Sequence, residues 1–127
     1  MTRNRIHTEK APAAVGPYSQ AIATDSLLFT SGVIPIDPQT GKIPEADIET
    51  HAHLVLKNLG TIAEAAGTDL SKALKVTVFL TDLSNFQQVN VVYAQYFQEP
   101  FPARSAIQVA ALPLGAAIEI EAVIALK

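Results

Sequence analysis

"ALKVTVFLTDLSNFQQVNVVYAQYFQ", residues 73–98, sets a strand and a helix end to end. In its first nine residues Leu74, Val76, Val78 and Leu80 alternate with Lys75, Thr77, Phe79 and Thr81. That period of two belongs to a strand with one fully apolar face. From Ser84 onward the period changes: Phe86, Val89, Asn90, Tyr93 and Phe97 fall on one helical stripe, with Asn90 its polar intruder. Ser84 and Gln87 make a capping box at the start, and Pro100 lies beyond the end. A strand feeding a helix long enough to cover a sheet points to an α+β fold with the helix laid on the sheet.

The neighbouring segments extend this pattern. Between Pro44 and Ala66, apolar residues recur at Ile48, Ala52, Val55, Leu59, Ile62 and Ala66, which predicts a helix with Pro44 in its first turn and Gly67 as its C-terminal cap. Before it, residues 18–25 and 26–36 read as two strands linked at Asp25-Ser26, closing at the turn "DPQTGK". Residues 11–18, with Pro12, Gly16 and Pro17, form an ordered loop. After the opening stretch come "ARSAIQVAAL" and "AIEIEAVIAL", two strands joined by a short loop and expected to pair antiparallel. With a short N-terminal strand around Arg5–Thr8, the order is β-β-β-α-β-α-β-β. The expected architecture is an α+β two-layer sandwich, a mixed sheet with two helices on one face, built from residues 1–127 as a single domain. The other face, carrying Thr77 and Phe79, or Glu119, Glu121 and Val123, must be solvated or covered by partner subunits.

Composition narrows the function. Only 17% of the residues are charged, below the usual quarter, which favours a homo-oligomer that hides apolar surface. A net charge of −3 argues against nucleic-acid binding, and zero cysteines exclude disulfides, thiolate metal sites and a cysteine nucleophile. No apolar run is long enough for a membrane span and no signal-type segment follows the N-terminus, so a cytoplasmic location is expected. His51 and His53 lie on opposite sides of their helix and cannot share a metal; they read as solvated helix residues. "TGK" lacks the rest of a phosphate loop, and Ser31 lacks a nucleophile elbow, leaving it a polar strand-end residue beside Gly32, whose backbone can approach a ligand closely.

Arg104 is the only arginine outside the first five residues. Period-two alternation places it with Ala106 and Gln108 on one strand face, while Glu119 and Glu121 point away from the core face of the last strand. Two readings stand side by side. Arg104 forms a structural ion pair with one glutamate, or its guanidinium fork holds a ligand carboxylate while a glutamate moves protons.

"GPYSQAI" (16–22), "FTSGVIPIDPQTG" (29–41), "VTVFLTDLSNFQQVNVVYAQYF" (76–97), "FPARSAI" (101–107) and "IEIEAVI" (118–124) together resemble the RidA/YjgF reactive-intermediate deaminase family. The match spans nearly the whole chain in one register. The resemblance implies a chorismate-mutase-like α+β fold assembled as a homotrimer, with sites in clefts between subunits. It implies hydrolysis of reactive 2-imino acids and their enamine tautomers, 2-iminobutanoate and 2-iminopropanoate, to 2-oxo acids and ammonia, with no metal or organic cofactor. The matching positions are Tyr18, Ser31, Gly32, Asn90, Arg104, Ala106 and Glu119. Arg104 would clamp the substrate carboxylate, Tyr18 and the backbone near Gly32 would complete the pocket, and Asn90 would order the site. Glu119 would activate the attacking water and assist ammonia departure. Many members carry cysteine at the position of Ala106; a water mechanism needs no thiol there. The alternatives are a non-catalytic 2-oxo-acid-binding regulatory module and a ribonuclease or translation inhibitor.

Overall fold

The computed structural model describes residues 2–127. Six strands, β1 (Asn4–Ile6), β2 (Ala21–Ala23), β3 (Leu27–Thr30), β4 (Ala73–Leu80), β5 (Ala103–Gln108) and β6 (Ile118–Ala125), form one mixed sheet in the order β1-β2-β3-β6-β4-β5. Two helices, α1 (Ile48–Ala65) and α2 (Phe86–Tyr93), connect β3 to β4 and β4 to β5. The element order is the one read from the sequence, and the fold is α+β.

One sheet face and the inner stripe of α1 share a single core. Val76, Val78, Leu80, Ile118, Ile120 and Ile124 are fully buried, and they join Ala52, Val55, Leu56, Leu59 and Ile62 of α1 in one apolar cluster. Burying a side chain of this size is worth about 1.5–3 kcal/mol, so this seam dominates the stability. The Asp25-Ser26 link is confirmed, with the Thr24 N–H donating to the Leu27 carbonyl at 2.8 Å and Ala23 opposite Leu28.

The helix starts differ from expectation. α1 begins after Asp47, whose carboxylate accepts from the Thr50 N–H, while the Pro44 carbonyl lies outside the helix against His51 Nε2. Its end is as expected, with Gly67 at φ +85° just beyond the last turn. The Ser84 capping box does not form. Asp82 takes the role by accepting from the Ser84 N–H, and a 3-10 turn at Leu83–Asn85 precedes α2, which ends at Tyr93 rather than near Gln98.

Two further expectations are corrected. Leu74 is about half exposed because a β-bulge between Ala73 and Lys75 in the pairing with β6 turns it off the apolar face. More consequentially, β5 and β6 do not pair. β5 is an edge strand running parallel to β4, and β6 inserts between β3 and β4, antiparallel to both. Among the described residues, no helix is long and apolar enough to cross a membrane.

Candidate active site

The pinning of residues 31–36 begins the site. Val33 and Ile120 exchange both backbone hydrogen bonds at 2.8 and 3.0 Å, and the Ala122 N–H donates to Thr30 Oγ1. Asn58 of α1, which is buried, donates from Nδ2 to the Ile36 carbonyl at 2.8 Å. Ser31 is fully engaged on its other side: its N–H donates to the Gln20 carbonyl and its hydroxyl to the Ser19 carbonyl at 2.6 Å. The strand-end segment is therefore rigid before any ligand is present.

Gln20 organises the facing loop. It is 4% exposed and makes three hydrogen bonds: Oε1 accepts from the Thr8 N–H, and Nε2 donates to the carbonyls of Thr8 and Pro12. This fixes both ends of the loop that carries Tyr18. Between loop and strand lies a cleft of about 550 Å³, lined among others by Val15, Tyr18, Ser31, Gly32, Leu114 and Glu119. Leu114, at φ +57° and largely exposed, holds a left-handed conformation that costs a non-glycine residue of order 1 kcal/mol.

Glu119 is the carboxylate of this cleft. It lies on the sheet face opposite the core, cross-strand from Phe79, and half-buried. Burial pushes its carboxyl above the ordinary glutamate range, and the Glu121 carboxylate adds to the rise. It owes its place to Gly32: a Cβ there would sit 2.6 Å from Glu119 Cδ and Oε2. The glycine is a space requirement, because only a residue without a side chain lets the carboxyl lie against this backbone.

The remaining positions lie elsewhere. Arg104 on β5 is opposite Val76 and shares its face, so it faces the helix side of the sheet together with Ala106, which is opposite Val78. Its Nη1 donates to Asn90 Oδ1 at 2.8 Å, and its guanidinium carbon lies 4.6 Å from the Tyr93 ring centre and 5.0 Å from that of Phe86. The predicted positions thus form two groups, Tyr18, Ser31, Gly32 and Glu119 in the cleft, and Asn90, Arg104 and Ala106 at the sheet edge. Within one chain they do not meet. β4 separates β5 from β6, Arg104 and Glu119 occupy opposite faces, and strand spacing and rise put their Cα atoms roughly 14 Å apart. The expected strand pair between them is corrected, and the structural ion pair between them falls with it.

Gln20 and Asn58 went unnoticed in the sequence; the first lies inside the "GPYSQAI" motif, whose polar residues were the available signal. His51 and His53 are half-buried and hydrogen-bonded, His51 Nε2 with the Pro44 carbonyl and His53 Nδ1 with the Tyr96 hydroxyl, rather than solvated.

The fold and the motif positions define a class. The sequence model of the Endoribonuclease L-PSP family matches residues 8–126, and the chain belongs to this family. A RutC family protein, y4sK, of Sinorhizobium fredii is 57% identical over 95% of this chain and 96% of its own length. The human 2-iminobutanoate/2-iminopropanoate deaminase is 49% identical over 97% of this chain and 90% of its own. A solved structure of the conserved Rid family, YyfA of Yersinia pestis, superposes with a TM-score of 0.95 at 47% identity, covering 98% of this chain and 99% of its own. The resemblance to the RidA/YjgF family is therefore borne out.

Proposed function

We propose that this protein hydrolyses reactive 2-imino acids, with 2-iminobutanoate and 2-iminopropanoate as substrates, to 2-oxo acids and ammonia. We propose further that it does so as a homotrimer of two-layer, chorismate-mutase-like subunits with each site between two copies. One observation carries the reading: among the described residues, Arg104 and Glu119, two motif positions of opposite charge, have no ion-pair partner within the chain. Arg104 has a neutral amide, Asn90, as its side-chain partner. At Glu119 both influences on the carboxyl, burial and Glu121, raise its proton affinity, and no cation among the described residues opposes them. A 2-imino acid is complementary to this pair, with a carboxylate for the guanidinium and a protonated imine for the glutamate.

The chemistry follows from those roles. Glu119 takes a proton from water as its oxygen bonds to C2, and the C–N π pair moves onto nitrogen. The glutamate then returns the proton to nitrogen, and the C2–N bond breaks as ammonia leaves with its electron pair. The remaining hydroxyl proton passes to the departing ammonia, giving the 2-oxo acid and ammonium. No step needs a thiol, so Ala106 is compatible with turnover. The assembly between copies is supported by the placement of the two groups on opposite sheet faces, and by apolar residues on the outer face such as Phe29 and Ile107, each 44% exposed. The family description also names a ribonuclease. A phosphodiester requires cations, whereas the cleft presents a carboxylate.

The test generates the imine in situ with a dehydratase and follows 2-oxo acid formation. Wild-type protein accelerates the step, and Arg104→Ala removes the acceleration, since each lost charged hydrogen bond costs about 1.5–3 kcal/mol, roughly 10- to 150-fold in kcat/KM. Undiminished turnover in Arg104→Ala contradicts the proposal. Binding of 2-oxobutanoate without turnover identifies a regulatory module instead.

A further inference from the structure

Phe86, Asn90 and Tyr93 occupy positions i, i+4 and i+7 of α2, one helix face, and all three touch the Arg104 guanidinium. Both ring centres lie within the roughly 6 Å over which an aromatic face attracts a cation. The Asn90 amide accepts one N–H, leaving the other guanidinium donors to a ligand. Tyr93 is nine-tenths buried, and its hydroxyl, enclosed by the protein, makes no hydrogen bond of ordinary geometry among the described residues; burial raises its proton affinity, and the neighbouring Arg104 guanidinium opposes that rise. A buried hydroxyl without a well-formed hydrogen bond costs folding free energy, so the larger contribution of this side chain comes from its ring. That ring stacks on Phe97, with centres 4.4 Å apart, which fixes its plane.

We propose that Tyr93 and Phe86 are positioning residues for Arg104: their rings form a seat that holds the guanidinium in one orientation, and this seat sets the affinity for the substrate carboxylate. The inference rests on the reading of Arg104 given above. An arginine on an exposed edge strand would otherwise sample many rotamers, and each binding event would bear the cost of ordering it. Seated on two rings and one amide, the fork is ordered in advance. A lysine offers neither the planar stack nor the fork.

The experiment measures kcat and KM for 2-iminobutanoate in Tyr93→Leu, Phe86→Leu and Tyr93→Phe, beside Arg104→Ala. Loss of one ring should raise KM about 3- to 30-fold with kcat changed less than about twofold. Tyr93→Phe, which keeps the ring and drops only the hydroxyl, should keep KM near the wild-type value. Phe86 is half-buried, so Phe86→Leu gives a folded protein if Tyr93→Leu does not. A wild-type KM in both leucine variants beside an inactive Arg104→Ala overturns the seat and leaves the functional reading intact. So does a Tyr93→Phe variant as impaired as Tyr93→Leu. An active Arg104→Ala overturns both.

Discussion

A methyl group at Gly32 would lie 2.6 Å from Glu119 Cδ and Oε2, inside any permitted contact, and what must move is the end of a flexible side chain. Gly32→Ala should therefore keep its melting temperature within a few degrees while imine hydrolysis falls about 10- to 100-fold, because the carboxyl is displaced from its working position. Glu119 itself predicts the reverse pattern, with activity favoured over stability. Its folded proton affinity is raised by burial, so its contribution to stability is neutral at low pH and becomes unfavourable as pH rises from the unfolded value through the folded one. Glu119→Gln should lose about 10²- to 10⁴-fold in rate yet melt at or above the wild-type temperature at pH 7. Thermal melts from pH 3 to pH 8 check the sign, since the advantage must vanish at the acid end. A variant that melts lower at pH 7 and equally at pH 3 would show that the carboxylate stabilises the fold.

Among the elements, the loop before β2 is held by one buried amide. Gln20→Ala removes three hydrogen bonds and leaves the Thr8 and Pro12 groups to find new partners, a loss of about 1–3 kcal/mol that denaturant unfolding would read as a lower midpoint with unchanged slope. Hydrogen exchange should localise the loosening to residues 8–20. The strands and helices themselves were legible in the sequence, because alternation at Val76, Val78 and Leu80 and the stripe from Ala52 to Ile62 report burial directly. Strand pairing was not. Adjacency in sequence suggests a hairpin between β5 and β6, as it does for most consecutive strands. The inward positions carry the deciding contrast. β6 places Ile118, Ile120, Ala122 and Ile124 on the core face, as an interior strand must, whereas β5 places Arg104 and Gln108 there, which only an edge strand with an open flank tolerates. The bulge that exposes Leu74 and the cap at Asp82 are local choices between near-equal alternatives, and the hydrophobic pattern is silent about both.

For the molecule as a whole, the fold explains why the motif residues lie in two groups. A sheet has two faces, and a glutamate on one face of β6 cannot reach an arginine on the other face of β5 across the intervening β4. The sequence named the residues through the family resemblance, while their separation follows only from the strand order. In the proposed assembly the edge-strand arginine of one copy serves the cleft of the next, and closing a ring of copies gives every site the same pair. The most direct measurement mixes two inactive variants, Arg104→Ala and Glu119→Gln, in equal amounts, exchanges their subunits by mild unfolding and refolding, and assays imine hydrolysis. With sites between copies, about a quarter of the sites in randomly mixed rings unite an intact arginine with an intact glutamate, so close to a quarter of wild-type activity should return. A mixture that stays as inactive as its two components would contradict the account.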